Sequence, residues 1–189
     1  PASTRSSSSR WSPKPATIAI LSANDSFSVE VAKAIEDYAP TKGMQVVFNK
    51  QYPAAAPDVS GLVSQAKASN PDIVMNSGHL AEAIAINKAA KQLSLNAKIF
   101  AYSVGPSTPD FIKALGGDAD YVYDGSQWTP QVKYQPSFYL SVSDYSKAYE
   151  KKYSSRQPPD HHVPESPAAC PAFQKAPETP GPPDPPPAA

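Results

Sequence analysis

Short apolar runs alternate with amphipathic segments along most of this chain, and the alternation is clearest between Asp72 and Ser103. Ile73, Val74 and Met75 form an apolar run, Asn76-Ser77-Gly78-His79 reads as a polar turn, and Lys98 to Ser103 reads as a second buried strand. Between them Ala83, Ile86, Ala90 and Leu93 recur at helical spacing, with Asn87, Lys88, Lys91 and Gln92 assigned to the opposite face. A helix crossing between two buried strands implies parallel pairing and a right-handed βαβ unit.

The same pattern extends to both sides. Ala16–Leu21 reads as a first strand, followed by a turn over residues 22–26. A helix is expected from about Phe27 to Ala39, burying Val31, Ile35 and Tyr38, with Pro40 and Gly43 ending it. Met44–Lys50 is a second strand, and Asp58 is expected to cap a helix that buries Val59, Leu62, Val63 and Ala66 before Asn70-Pro71 stops it. Thr108-Pro109 opens a short helix buried by Phe111, Ile112 and Leu115 and closed by Gly116-Gly117. Tyr121–Tyr123 is a short fifth strand, and Ser141 or Ser143 caps a last helix to about Tyr153, with Tyr145, Ala148 and Tyr149 on one side. These elements predict an α/β fold, a doubly wound and mostly parallel five-stranded sheet with helices on both faces.

Composition marks the ends of that domain. Residues 1–15 are rich in Ser, Arg and Pro, and twelve of the residues from 158 to 189 are proline, each costing a helix interior about 3 kcal/mol. The expected organisation is a disordered tail over 1–15, an α/β lobe over 16–157 and a mostly disordered tail over 158–189. Seventeen basic residues balance seventeen acidic ones, so a nucleic-acid footprint and an electrostatic membrane anchor are not expected. A small neutral or zwitterionic ligand suits this balance better than a polyanion. No apolar run approaches the ~18 residues of a membrane span, so no direct insertion is expected. The N-terminus has no signal-peptide core and begins with Pro, which leads us to expect a processed chain or a fragment. Cys170 is the single cysteine, which excludes an internal disulfide.

In open α/β sheets ligands sit outside the carboxyl ends of the strands. Those ends carry Asp25 and Phe27, then Ser77 and His79, then Tyr102 and Ser103, and finally Asp124 and Trp128. Aromatics, hydroxyls and amides with a lone acid or two suit recognition of a small polar molecule. Each also has a plainer reading: Asp25 as a helix cap, His79 in local hydrogen bonds, Phe27 and Trp128 as packing, Asp124 as a turn residue. Enzyme motifs are missing. The sequence holds no GxGxxG, no GxxxxGK[ST] and no GxSxG, and His79, His161 and His162 lack the spacing of zinc ligands. Ser103 with His79 would lack both a third group and an oxyanion hole. No catalytic residue and no cofactor are therefore expected.

Two runs carry a family likeness: KPATIAILSANDSFSVEVAKAIEDYAPTKGMQVVFNKQYPA, and DVSGLVSQAKASNPDIVMNSGHLAEAIAINKAAKQLSLNAKIFAY. They resemble the second lobe of branched-chain-amino-acid type periplasmic binding proteins, the type I solute-binding proteins of ABC transporters. The likeness covers roughly residues 13 to 163 and includes Ser126-Gln127-Trp128-Thr129-Pro130. It implies a two-lobed clamshell that closes on an amino acid or related carboxylate outside the cytoplasm and presents it to a permease. It also implies ligand contacts at Phe27 and His79. The strand-four acid that commonly receives the ligand ammonium in this family corresponds here to Ser103, which leaves a ligand lacking the amine, or a substitute acid at Asp25 or Asp124. The family's first lobe has no counterpart in the sequence, and prolines 164, 167, 171 and 177 interrupt its returning helix. The alternative reading is a truncated or decayed copy that folds without tight binding, and a flavodoxin-like enzyme ranks below both.

Overall fold

The computed structural model describes residues 14–56, 58–126, 128–133, 140–154, 159 and 163–164. The expected tails, with His161, His162 and Cys170, lie almost wholly outside these residues. The chain divides into two compact units, 1–125 and 126–189.

The first unit is a five-stranded sheet in the order β2-β1-β3-β4-β5, with β1 (Thr17–Ala23), β2 (Gln45–Tyr52), β3 (Ile73–Ser77), β4 (Ile99–Tyr102) and β5 (Val122–Asp124). All four pairings are parallel, as the crossover helices require. Alternation of side chains along the strands divides the core into two layers. Ile18 and Ile20 of β1, with Ile73 and Met75 of β3, face α1 (Ser26–Tyr38) through Ala32 and Ile35. Ala19, Leu21, Ala23 and Val74 point to the other face, where α2 (Ser60–Ala68), α3 (Leu80–Gln92) and α4 (Pro109–Leu115) contribute Val63, Ile86 and Phe111. Helices therefore cover both faces. The order reverses between β1 and β3, which makes the carboxyl ends of those two strands the switch point of the sheet.

Several details depart from the sequence reading. Ser22, Ala23, Asn76 and Ser77 belong to strands rather than to turns, because their small or polar side chains are enclosed by the helices. In α1 the buried positions are Ser28 and Ala32, small residues that let the helix lie close to the sheet, while Tyr38 is 58% exposed beneath the Lys42 ammonium. The expected exposed residue Asn87 is buried instead, its amide donating to the Asp118 carbonyl and its oxygen accepting from Tyr102. Ile112 is 58% exposed, leaving Phe111 as the buried anchor of α4. Tyr121 precedes β5 rather than starting it, at φ 64° and almost fully exposed. Val59, not Asp58, is the N-cap of α2; the Asp58 carboxylate accepts from Ser60 N just ahead of the helix frame.

At the amino edge of the sheet Asp72 clasps the start of β1. Its Oδ2 accepts from Ala16 N (2.7 Å) and Thr17 N (3.3 Å), its own N–H donates to Thr17 Oγ1, and Lys98 Nζ sits 2.7 Å from Oδ1. The Lys98 bond first, and the Ala16 amide next, hold its carboxyl at about 2 against an ordinary 3.8. A depressed value means stabilisation that is present above 3.8 and is lost as pH falls through about 2. An acid titration of melting temperature should show that loss in the natural chain, and Asp72→Asn should lack this component.

The second unit is built on α5 (Val142–Tyr153), capped by Ser141, whose Oγ accepts from Asp144 N. Ser146 is its buried residue, whereas the expected Ala148 is exposed.

Candidate functional site

Asp25, immediately after β1, is the N-cap of α1: Oδ1 accepts from Ser28 N (3.0 Å) and Oδ2 from Ser28 Oγ (2.7 Å). These bonds, with a smaller contribution from His79, hold its carboxyl below the usual range. His79 occupies the matching position after β3, at the start of α3. The two heads meet at the switch point. His79 Nε2 lies 3.6 Å from Asp25 Oδ2, and its ring stacks on Phe27 at 5.7 Å between centroids. This cluster opens to solvent, with Phe27 43% exposed and the His79 side chain 52% exposed.

Beneath it lies a buried support. Glu82, one turn into α3, accepts from His79 N through Oε2 (3.3 Å) and from Ala55 N through Oε1 (2.8 Å), so one carboxylate ties the His79 turn to the loop after β2. Asn24 fastens the same loop, its Oδ1 accepting from Ala54 N. Tyr52, at the end of β2, donates to Asn76 Oδ1 at 2.7 Å. Burial, then the charge of Glu82, pushes its phenol well above the ordinary value, so it stays a neutral donor. Gly78 is required by close approach: a Cβ there would stand 2.5 Å from Tyr52 Oη. On the far side of the turn Ser103 Oγ accepts from Gly78 N and donates to Gly78 O, both at 3.2 Å.

The candidate residues thus separate. Asp25, Phe27 and His79 form one cluster, and Ser103 reaches it through Gly78. Ser77 is buried on the α1 face opposite Ser22, and neither hydroxyl has a partner among the described residues. Tyr102 is placed in the core rather than at the edge, with its hydroxyl on Asn87 and its phenol raised by burial. Asp124 braces the β4–α4 loop by accepting from Ser107 N through Oδ2, while Oδ1 is enclosed. Trp128 belongs to the second unit, packed edge-on against Tyr145. Sequence reasoning missed Glu82 and Tyr52; the spacing of Glu82, three residues after the helix cap, was the available signal. Among the described residues no cluster of His, Cys, Asp and Glu could hold a metal, and no helix is long and apolar enough to cross a membrane.

Residues 10–188 match the family model of periplasmic binding proteins. The chain belongs to this family. Among curated members, it is 24% identical over 150 residues to Leu/Ile/Val-binding protein homolog 7 of Brucella suis biovar 1, a match covering 77% of this chain and 37% of that protein. It is 27% identical over 157 residues to homolog 8 of Brucella abortus, covering 80% and 38%. This periplasmic binding protein chain therefore spans well under half the length of the curated relatives it matches. Its fold is that of the leucine binding protein LivK of Thermotoga maritima, at TM-score 0.68 and 19% identity, covering 78% of this chain and 40% of that one. A Brucella ovis protein described as binding leucine, isoleucine, valine, threonine and alanine, in its closed conformation, matches at TM-score 0.62 and 22% identity, covering 72% and 33%.

Proposed function

We propose that this chain forms the second lobe of an extracytoplasmic solute-binding protein. Its switch-point edge is one half of a clamshell site for a small amino-acid-like or carboxylate ligand, which the whole protein delivers to an ABC permease. One observation carries the reading: an exposed Phe27–His79 stack stands over an ionised, helix-capping carboxylate where the strand order reverses. An aromatic face beside a fixed charge suits a small ligand with an apolar part and a charged head. The Brucella relatives named for leucine, isoleucine and valine, and the Thermotoga protein named for leucine, favour that ligand class.

Thermal melts of the chain with a panel of amino acids and small organic acids test it. A ligand at 100 times its dissociation constant adds about 2.7 kcal/mol, so one class should raise the melting temperature. His79→Ala should reduce that shift more than it lowers the unliganded melting temperature; the reverse pattern would make His79 structural. A cooperative melt that no ligand moves would favour a truncated or decayed copy.

A further inference from the structure

Glu82 does more than cap α3. A glutamate three residues after the cap commonly accepts the N–H of the capping residue, and Oε2 does so with His79 N at 3.3 Å. The helix start asks nothing further of it, yet Oε1 crosses to the loop after β2 and accepts from Ala55 N at 2.8 Å, the shorter of the two bonds. Glu82 is buried, so water does not readily replace a lost partner. The loop it reaches is weakly held otherwise. Apart from its own turn bond from Ala56 N to Pro53 O and the partly buried Ala56, its described residues are exposed. Ala55 stands at φ 57°, a left-handed conformation that is unfavourable for a residue with a Cβ. Side-chain acceptors fix it there: Asn24, next to Asp25 in the turn after β1, takes Ala54 N at 2.9 Å, and Glu82 takes Ala55 N. Both turns that carry the exposed cluster are therefore tied to one loop.

On the reading that this edge is a ligand half-site, we propose that Glu82 is its positioning residue. Shared between His79 N and Ala55 N, the carboxylate fastens residues 53–56 across the two turns and so fixes the His79 ring against Phe27 before a ligand arrives. Glu82 lies buried beneath the cluster and acts through His79 rather than on the ligand. The stack is ordered when the chain folds, so binding does not have to order it, and affinity rises accordingly.

Two variants of the full chain break the tie from opposite ends. Glu82→Gln keeps a residue suited to this position of a helix start but leaves one accepting oxygen for two amides. Ala55→Pro removes the donated N–H and cannot adopt φ 57°, while Glu82 keeps its bond to His79 N. The first readout needs no ligand: it is the NMR position of the His79 imidazole protons, displaced by the Phe27 ring on which the imidazole stacks. Both variants should melt cooperatively and lose most of that displacement. The second readout is the dissociation constant for leucine, isoleucine, valine and their α-keto acids. For the best-bound of these it should rise about tenfold, the upper end of what one hydrogen bond contributes. If Glu82 merely capped α3, Ala55→Pro would leave both readouts unchanged. Unchanged His79 resonances in the folded variants, or unchanged affinity despite altered resonances, overturns the proposal and leaves the half-site reading standing. Failure of both variants to fold also overturns it, by making the tie structural. If none of these probes binds the natural chain, the half-site reading fails and the proposal fails with it.

Discussion

Replacing Ile86 by alanine is expected to cost about 2–5 kcal/mol, the range for truncating a large aliphatic side chain in a closed core. Ile86 is fully buried at the centre of α3, in the layer formed by Leu21, Val63, Val74 and Tyr102. Its neighbours along the helix, Ala83 and Ala90, are too small to move into the space it leaves. A strand-backed helix also has little freedom to slide inward, because Glu82 and Asn87 are pinned by hydrogen bonds on either side of it. Denaturant unfolding measures the effect, and a change near zero would mean that this face of α3 does not carry the core.

Gly78→Ala is expected to be the next most damaging substitution. The added methyl must displace Tyr52 Oη from 2.5 Å, and overpacking of this kind costs about 1–3 kcal/mol. Displacement also threatens the bond to Asn76 Oδ1, a buried acceptor whose orphaning costs about 1–3 kcal/mol more. Tyr52→Phe removes the obstructing oxygen, so the double variant should be less destabilised than the sum of the single ones. Additive losses in that double-mutant cycle would show that Gly78 is required for another reason.

The sheet, its parallel order and the identity of α3 as the crossover were legible because buried strands and a one-sided helix leave period and polarity in the sequence. What was not legible is instructive. Burial of Ser22, Ser28, Asn76, Ser77 and Asn87 contradicts polarity, and follows from where each sits beneath a helix or opposite a partner such as Tyr102. Tyr38 and Ile112 looked like core residues by spacing, yet Ala32 and Phe111 fill those layers and leave both outside. At the edge of the sheet, the topology rule pointed to the turns after β1 and β3, and Asp25, Phe27 and His79 meet there. Their pairing could not be read from the chain, since it joins positions far apart in sequence through strand register. Tyr102 shows the limit of the rule: a residue at a strand's end faces the core whenever alternation points it there.

The central claim is that the switch point between β1 and β3 is a ligand half-site. Backbone amide NMR spectra of the chain, recorded with and without the ligand that moves its melting temperature most, test this residue by residue. The account predicts saturable shifts confined to residues 24–28, 77–80 and 103, which Phe27→Ala abolishes while the rest of the spectrum is preserved. Shifts that map instead to the exposed edge of β2, or that survive Phe27→Ala, would contradict it.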